Sequence, residues 1–401
     1  MKALGLAIVI PTRNRSDLVK TALASVLAVH ASRLSAVIVS DNSTRSEDSR
    51  ELGRLVESLG DARLVLLKPP KPLAMTAHWE WVMNRALAMP DITHVAYLTD
   101  RMFLRPRWFL EACDLSARYP DDIVSYADDM IQDDRRPIAY APSVRSGKAF
   151  RIESASLLEQ SARMAFFTCL PRMLNCIVPR PHLEALKSRY GEYFSSVSPD
   201  FCFCYRSLSA VSSIVYLDKS VMVSHGHDRS NGHSAVKGRR TETSEDFIAQ
   251  LPVTQKLFEG VPLPDVHTVG NAIASEYLKV RMEQGGSMPP LSIDAYLECL
   301  AAETMKFEDR ELARATRQRL ARAGWRPGLE FRFRAIRTWL MTHAHSILER
   351  RFQDPTIALG AAAKEPRTTL PWLHGAVRPY RAEEIQSPGI RSAVDGSEHV
   401  G

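Results

Sequence analysis

Leu6-Ala7-Ile8-Val9-Ile10-Pro11-Thr12-Arg13-Asn14-Arg15 is the stretch from which the rest of the chain can be read. Five apolar residues, three of them β-branched, run directly into a polar, basic turn. An unbroken apolar run of this length reads as a strand buried on both faces. Ser16-Asp17 then caps a helix to about Val29, with Leu18, Ala22, Val26 and Val29 on one stripe. The alternation continues outward. Ala36–Val39 reads as a second strand, a helix carries Leu52, Leu55, Val56 and Leu59, and Leu64–Leu67 is a third strand. Met75 to Ala88 reads as a helix, His94–Leu98 as a fourth strand and Ile123–Tyr126 as a fifth. Strands alternating with amphipathic helices predict an α/β fold, a Rossmann-like, mostly parallel sheet with helices on its faces.

The chain has 401 residues, 45% of them hydrophobic and 24% charged, which excludes wholesale disorder and fibrous classes. The apolar stretch Leu4–Ile10 has only seven residues and meets Arg13 and Arg15 instead of a small-residue cleavage site, so it reads as a strand, not a signal peptide. No apolar run approaches the roughly 18 residues of a membrane span. A cytoplasmic location is expected. Six cysteines are too few for a disulfide scaffold, and Cys202-Phe203-Cys204 with His225, His227 and His233 lacks structural zinc spacing. Buried thiols are expected.

Charge is unevenly placed. Residues 309–352 hold eleven arginines against four acids, an excess larger than the +6 of the whole chain. Such a segment suits an anionic membrane or a protein partner, although a solvated helix face reads equally well. No nucleic-acid motif accompanies the arginines, and no nucleic acid is expected as partner.

In open parallel sheets, ligands sit beyond the carboxyl ends of the strands. Those ends are Pro11-Thr12-Arg13-Asn14-Arg15, Ser40-Asp41-Asn42-Ser43 and Thr99-Asp100-Arg101, each polar after an apolar run. Neither a dinucleotide glycine fingerprint nor a Walker motif is present, which disfavours nicotinamide, flavin and ATPase readings. Taken singly, Asp41-Asn42-Ser43 also reads as an ordinary turn.

Ala7–Arg15, followed by a helix and then Val37-Ile-Val-Ser-Asp-Asn-Ser43, resembles glycosyltransferase family 2, which has a GT-A nucleotide-sugar fold. Leu73–Glu80 and Tyr97–Pro106 agree in order and spacing, and the resemblance covers residues 5–235. It implies that Pro11, Thr12, Arg13 and Asn14 lie along a nucleotide-sugar donor, with Asp41 accepting from base or ribose. The family's strand-end Asp-x-Asp is altered here to Thr99-Asp100-Arg101. Two alternatives follow. Arg101 supplies part of the charge that a divalent cation (Mn or Mg) would bring to the diphosphate, or a metal persists on Asp100 and His225.

Asp200 in Ser198-Pro-Asp-Phe201 stands where the resemblance implies the catalytic base of an inverting transfer; in isolation it reads as a helix-capping acid. The loop His225–Gly232 would close on the donor, with Arg229 or Arg240 near the diphosphate. Asp128-Asp129 and Asp133-Asp134 read as solvated turn acids. Met75, His78 and Trp79 lie near the site by resemblance and are given no chemistry.

The expected organisation is a GT-A glycosyltransferase domain over 1–240, a helical, Arg-rich region over 241–354 and a mobile tail over 355–401. Helices are expected at 247–257, 269–283, 293–305, 309–323 and 331–352. The expected activity is an inverting transfer from a nucleotide-diphosphate sugar, UDP-linked, to a glycan or lipid-linked hydroxyl, at the inner membrane face. The alternative is a catalytically degenerate nucleotide-sugar-binding or scaffolding module.

Overall fold

Alternation of burial along the first strand shows why the sheet is covered on both sides. Leu6, Ile8 and Ile10 enter one apolar cluster, and Ala7 and Val9 enter another on the opposite face. Each of the Leu, Ile and Val side chains is worth roughly 1.5–3 kcal/mol on burial, so the strand has no face to offer water. The computed structural model describes residues 4–140, 142–195, 197–239, 258–328, 349–364 and 380–386, with scattered positions between 245 and 250.

The expected alternation is the one observed. It runs β1 (Leu6–Thr12), α1 (Ser16–Leu27), β2 (Ala36–Asp41), α2 (Ser46–Leu59), β3 (Leu64–Leu67), α3 (Met75–Leu87) and β4 (His94–Tyr97). Next come β5 (Met102–Leu104), α4 (Pro106–Arg118), β6 (Val124–Gln132), β7 (Ile138–Tyr140), β8 (Ala149–Glu153) and α5 (Ser154–Ala162). The core closes with β9 (Cys176–Pro179), α6 (Arg180–Tyr190), α7 (Pro199–Ala210), β10 (Ser213–Ser224) and α8 (Asn231–Val236). Beyond it lie α9 (Val269–Glu283), α10 (Ile293–Glu303), α11 (Arg310–Arg322), β11 (Arg350–Phe352), α12 (Pro355–Ala363) and β12 (Ala382–Ile385).

The sheet order is β12-β8-β10-β6-β9-β4-β1-β2-β3. β1 is parallel to β2 and β4, β2 to β3, and β6 to β10, while β9 runs antiparallel between β4 and β6. The carboxyl ends of β1, β2, β4, β6 and β10 therefore share one edge. That edge is the crevice where an α/β sheet holds ligands.

Four local expectations change. Ser16 is not the cap of α1: Arg15 holds that position, and the Ser16 hydroxyl donates to Asp48 (3.1 Å) and Glu51 (2.7 Å). The buried stripe of α1 is Val19, Ala22, Leu23 and Val26, which turns Leu18 towards Gly226. β6 extends to Gln132, so Asp128 and Asp129 lie in a strand instead of a solvated turn. Asp129 is buried against Arg105 (2.9 Å), and Asp134 is buried against His233 (2.8 Å). Their partners lie 24 and 99 residues away in sequence, beyond the reach of local composition.

The C-terminal helices pack on the core. α9 crosses α7, with Tyr205 and Tyr277 edge to face at 5.1 Å and Arg206 paired to Glu283 at 2.7 Å. The expected helix at 247–257 lies almost wholly outside the described residues, as do Arg240 and residues 329–348. Arg350–Phe352, assigned to the end of a helix, instead pairs with β7. Within 355–401, the stretch expected to be mobile, two pieces are ordered. α12 buries Ala358 and Ala362 against the cluster containing Ile131, Ile138 and Tyr140, and β12 adds to β8. Small side chains let a helix approach the sheet closely, a packing that an Ala-rich composition does not announce. Among the described residues no helix is long and apolar enough to cross a membrane.

Candidate active site

The turns after β1 and β2 are built as one unit. Asn14 takes a left-handed conformation (φ 54°), which asparagine tolerates, and its Oδ1 accepts the N–H groups of Thr44 (2.9 Å) and Arg45 (3.1 Å). Thr12 stands level with Asp41 in the sheet, and its carbonyl accepts from Asn42 N–H at 2.9 Å. Arg13 Nη1 and Asn42 Nδ2 both donate to the Leu73 carbonyl, at 3.1 and 2.8 Å. Asp41 accepts from Ser43 N–H (2.9 Å) and from the Ser49 hydroxyl, with Lys68 at 3.7 Å. Pro11 is buried inside β1 opposite Ser40. Behind this group His78 Nε2 meets Ser40 Oγ at 2.7 Å, and burial holds the imidazole near a pKa of about 4 and therefore neutral.

Asp100 joins the same group of residues. Thr12 Oγ1 donates to Asp100 Oδ2 at 2.9 Å, and Arg15 Nη1 donates to Oδ1 at 3.3 Å. Arg15 Nη2 reaches on to the Arg229 carbonyl at 2.7 Å, while the Arg229 side chain pairs with Asp17. Thr12 thus links three strand ends far apart in sequence: it lies next to Arg13, stands level with Asp41 and bonds Asp100.

Arg101 ties β4 to β10. Its Nη1 donates to the His225 carbonyl (3.0 Å) and its own carbonyl accepts from His225 N–H (2.9 Å). Burial pulls the guanidinium down to about 10, which leaves it cationic at neutral pH, and Asp100 and Asp133 favour that charge. Asp133 accepts from Gly226 N–H (2.6 Å) and His227 N–H (3.0 Å). Gly226 needs its left-handed φ of 64° there, and a Cβ would meet Leu18 at 3.2 Å. His225 and His227 are each 4% exposed, and burial lowers both. Among the described residues, His225 Nε2 and both ring nitrogens of His227 have no hydrogen-bond partner.

A divalent cation needs several free oxygen or nitrogen donors converging on a point. Among the described residues, no three His, Cys, Asp or Glu side chains come together in that way. Asp100 and Asp133 already direct both carboxylate oxygens to donors of the protein. Cys202 and Cys204 are buried, unpaired thiols on α7, as expected.

Asp200 occupies the first turn of α7, where Ser198 is the cap position without a side-chain cap bond. Burial raises its carboxyl above the ordinary range, while Arg172 and the first-turn N–H groups lower it. Glu276 of α9 accepts the N–H groups of Val197 (3.1 Å) and Ser198 (3.0 Å) and so sets the start of the helix. Arg172 also stands 3.7 Å from Asp128, level with Met222 near the end of β10. Arg172 and Glu276 carry no sequence signal; Arg15 reads only as part of the β1 turn, and Asp128 as a solvated turn acid.

The chain is an α/β protein whose sheet carries helices on both faces and charged residues at its strand ends. Among solved structures, TarS of S. aureus is similar to this chain. TarS 1–349 of S. aureus is 14% identical, with a TM-score of 0.43 over 78% of this chain and 88% of that one. The same protein in complex with UDP-GlcNAc gives 12% identity and the same TM-score. Of the longer TarS the chain spans 54%, about half its length. No protein-family model matches the chain, and no curated protein matches it in sequence.

Proposed function

We propose that this chain is an inverting glycosyltransferase that moves a sugar from a nucleotide-diphosphate donor, a uridine one, to a hydroxyl of a glycan or lipid-linked acceptor. The convergence of the β1, β2 and β4 ends, joined through Thr12 and Arg15 to Asp100, is the observation that carries this reading. Arg13 and Asp41 serve the nucleotide. Thr12, Asn14, Asp100 and Arg101 frame the sugar diphosphate. The acceptor oxygen bonds to the anomeric carbon as the bond to the diphosphate oxygen breaks, and Asp200 takes the acceptor's proton.

Negative charge develops on the departing diphosphate and must be met by fixed positive charge. Arg15 and Arg101 stand beside Asp100, whose oxygens are already engaged, so guanidinium groups fill this role in place of a Mn or Mg ion on Asp100 and His225. A thermal-shift panel tests donor and metal together. UDP and UDP-sugars at about 100 times Kd should stabilise the protein by about 2.7 kcal/mol, equally in chelator and in manganese. Stabilisation only with manganese would remove the arginine assignment, and none with any nucleotide would remove the donor class. Donor binding without turnover on any acceptor would favour the non-catalytic module.

Within the described part of the arginine run, α11 buries Ala313, Thr316 and Leu320 and exposes Arg310, Arg314, Arg317 and Arg322. Its start is tied to the loop after α8 by Glu308 N–H on the Lys237 carbonyl (3.0 Å) and by the Arg239–Glu308 ion pair. This brings the arginines close to the α8 loop, and a contact with anionic lipid follows from their charge. Trp339, Leu340, Ile347 and Leu348, the expected apolar counterpart, lie outside the described residues. The protein is expected to float with vesicles containing phosphatidylglycerol and not with neutral ones, and to be released by about 1 M salt. Equal recovery with neutral vesicles, or none at low salt, would end this assignment.

A further inference from the structure

Asp128 differs from the other acids near the strand ends. Asp41, Asp100, Asp129 and Asp133 each accept hydrogen bonds from the protein, whereas among the described residues the Asp128 carboxylate accepts none. It pairs with Arg172 at 3.7 Å, beyond hydrogen-bond reach. The Arg172 guanidinium is equally open. Among the described residues it donates no hydrogen bond, and its buried Nε has no partner. The Arg172 and Asp128 side chains are 26% and 20% exposed, so a ligand can reach both.

Neither backbone depends on this pair. Asp128 lies in β6, and its carbonyl accepts from Arg145 Nη2 at 3.2 Å; Arg145 also holds Thr168 Oγ1 (3.1 Å) and stands 3.8 Å from Asp218. Arg172 N–H donates to Asn175 Oδ1 at 2.9 Å, and the buried Asn175 amide donates to the carbonyls of Tyr126, Thr168 and Leu170. A carboxylate and a guanidinium on fixed backbones, side by side but not bonded to each other, form a prearranged acceptor and donor.

Their place in the fold indicates a ligand. Asp128 is level with Met222, and two residues on, Met130 is level with Ser224 of β10. The next residue, His225, is bonded to Arg101 through both its N–H and its carbonyl. The Arg172 guanidinium carbon lies 5.8 Å from the centre of the Phe201 ring in the first turn of α7. The pair therefore borders both the strand end that leads to Arg101 and the start of α7. Under the proposed function Arg101 frames the diphosphate and Asp200 takes the acceptor's proton. The transferred sugar lies between those two, because its anomeric carbon is bonded to the one group and attacked from the side of the other.

We propose that Asp128 and Arg172 grip adjacent hydroxyls of the sugar on the donor and so select which sugar is transferred. This rests on the nucleotide-sugar reading above. A sugar hydroxyl both donates and accepts, so Asp128 takes a hydrogen from one and Arg172 gives a hydrogen to its neighbour. An anionic ligand would be repelled by Asp128 and a cationic one by Arg172. An epimer that turns one hydroxyl away leaves a charged group without its partner, which is the source of selectivity.

The test is calorimetric titration of the full chain with UDP, UDP-glucose, UDP-galactose and UDP-N-acetylglucosamine, with manganese present throughout. In Asp128→Asn and in Arg172→Gln, the UDP-sugar that binds the wild type best should bind about tenfold or more weakly, and the preference among the sugars should shrink, while UDP keeps its wild-type affinity. UDP-sugar affinities unchanged in the variants would overturn the proposal. So would a loss shared equally by UDP, the mark of a pair that only supports the fold. Either variant alone decides the matter if the other does not fold. Wild-type binding with unmoved variants removes this pair and leaves the donor reading standing, whereas a wild type that binds none of the four ligands removes the donor reading and the pair with it.

Discussion

Asp200→Asn should lower turnover by about 10²- to 10⁴-fold, the range that a positioned general base contributes, while donor affinity stays at the wild-type value. Asparagine keeps the shape and the first-turn position but cannot accept the acceptor's proton. Donor contacts are expected from Arg13, Asp41 and Asp100 at the ends of β1, β2 and β4, whereas Asp200 opens α7. Initial rates and calorimetry with the donor separate the two effects. A pH signature accompanies them. Burial raises the Asp200 carboxyl, so activity should be full above that raised pKa and fall as the pH drops through it, at a higher pH than for an ordinary carboxylate. That acid limb should vanish in Asp200→Asn. Unchanged turnover would remove Asp200 from the mechanism.

The largest stability effect is expected at Arg105, one of the bulkiest fully buried side chains. Its guanidinium donates to Asp129 (2.9 Å), Tyr140 Oη (2.7 Å), the Ala362 carbonyl (3.0 Å) and the Ser220 carbonyl. Arg105→Met should cost about 3–5 kcal/mol, because it leaves the Asp129 carboxylate buried without its cation. It also cuts the bond from β5's end to α12. The double variant Arg105→Met/Asp129→Leu should recover much of that loss, since replacing both members of a buried pair removes the stranded charge. Urea midpoints of the wild type and both variants check this. A loss under about 1 kcal/mol for Arg105→Met, typical of a surface pair, would show that the network carries no such burden.

Apolar runs made the first half of the fold readable. β1 to β4 and their helices follow from residues whose burial depends on near neighbours in sequence, so periodicity located each within a residue or two. Legibility fell where polar residues are buried. Asp128-Asp129 resembles a turn until Arg105 and Arg172 are known to stand beside it. β11 and β12 are short and mostly exposed, and they are strands only because β7 and β8 offer them edges. In the candidate site, Thr12, Arg13, Asp41 and Asp100 could be picked from sequence because each ends an apolar strand. Glu276 could not, since it lies in a segment with no motif and acts on a turn in a different element.

Local chemistry alone therefore set the parallel core, the polar strand ends and the identity of the residues at them. Tertiary structure alone decided which charges meet: that Arg15, not Arg101, binds the Asp100 carboxylate, that α9 fixes the start of α7, and that Arg172 stands by Asp128. The physical reason is range. Side-chain periodicity is felt within a turn or a strand, whereas the electrostatic partners of a buried ion are fixed by contacts between elements tens to hundreds of residues apart.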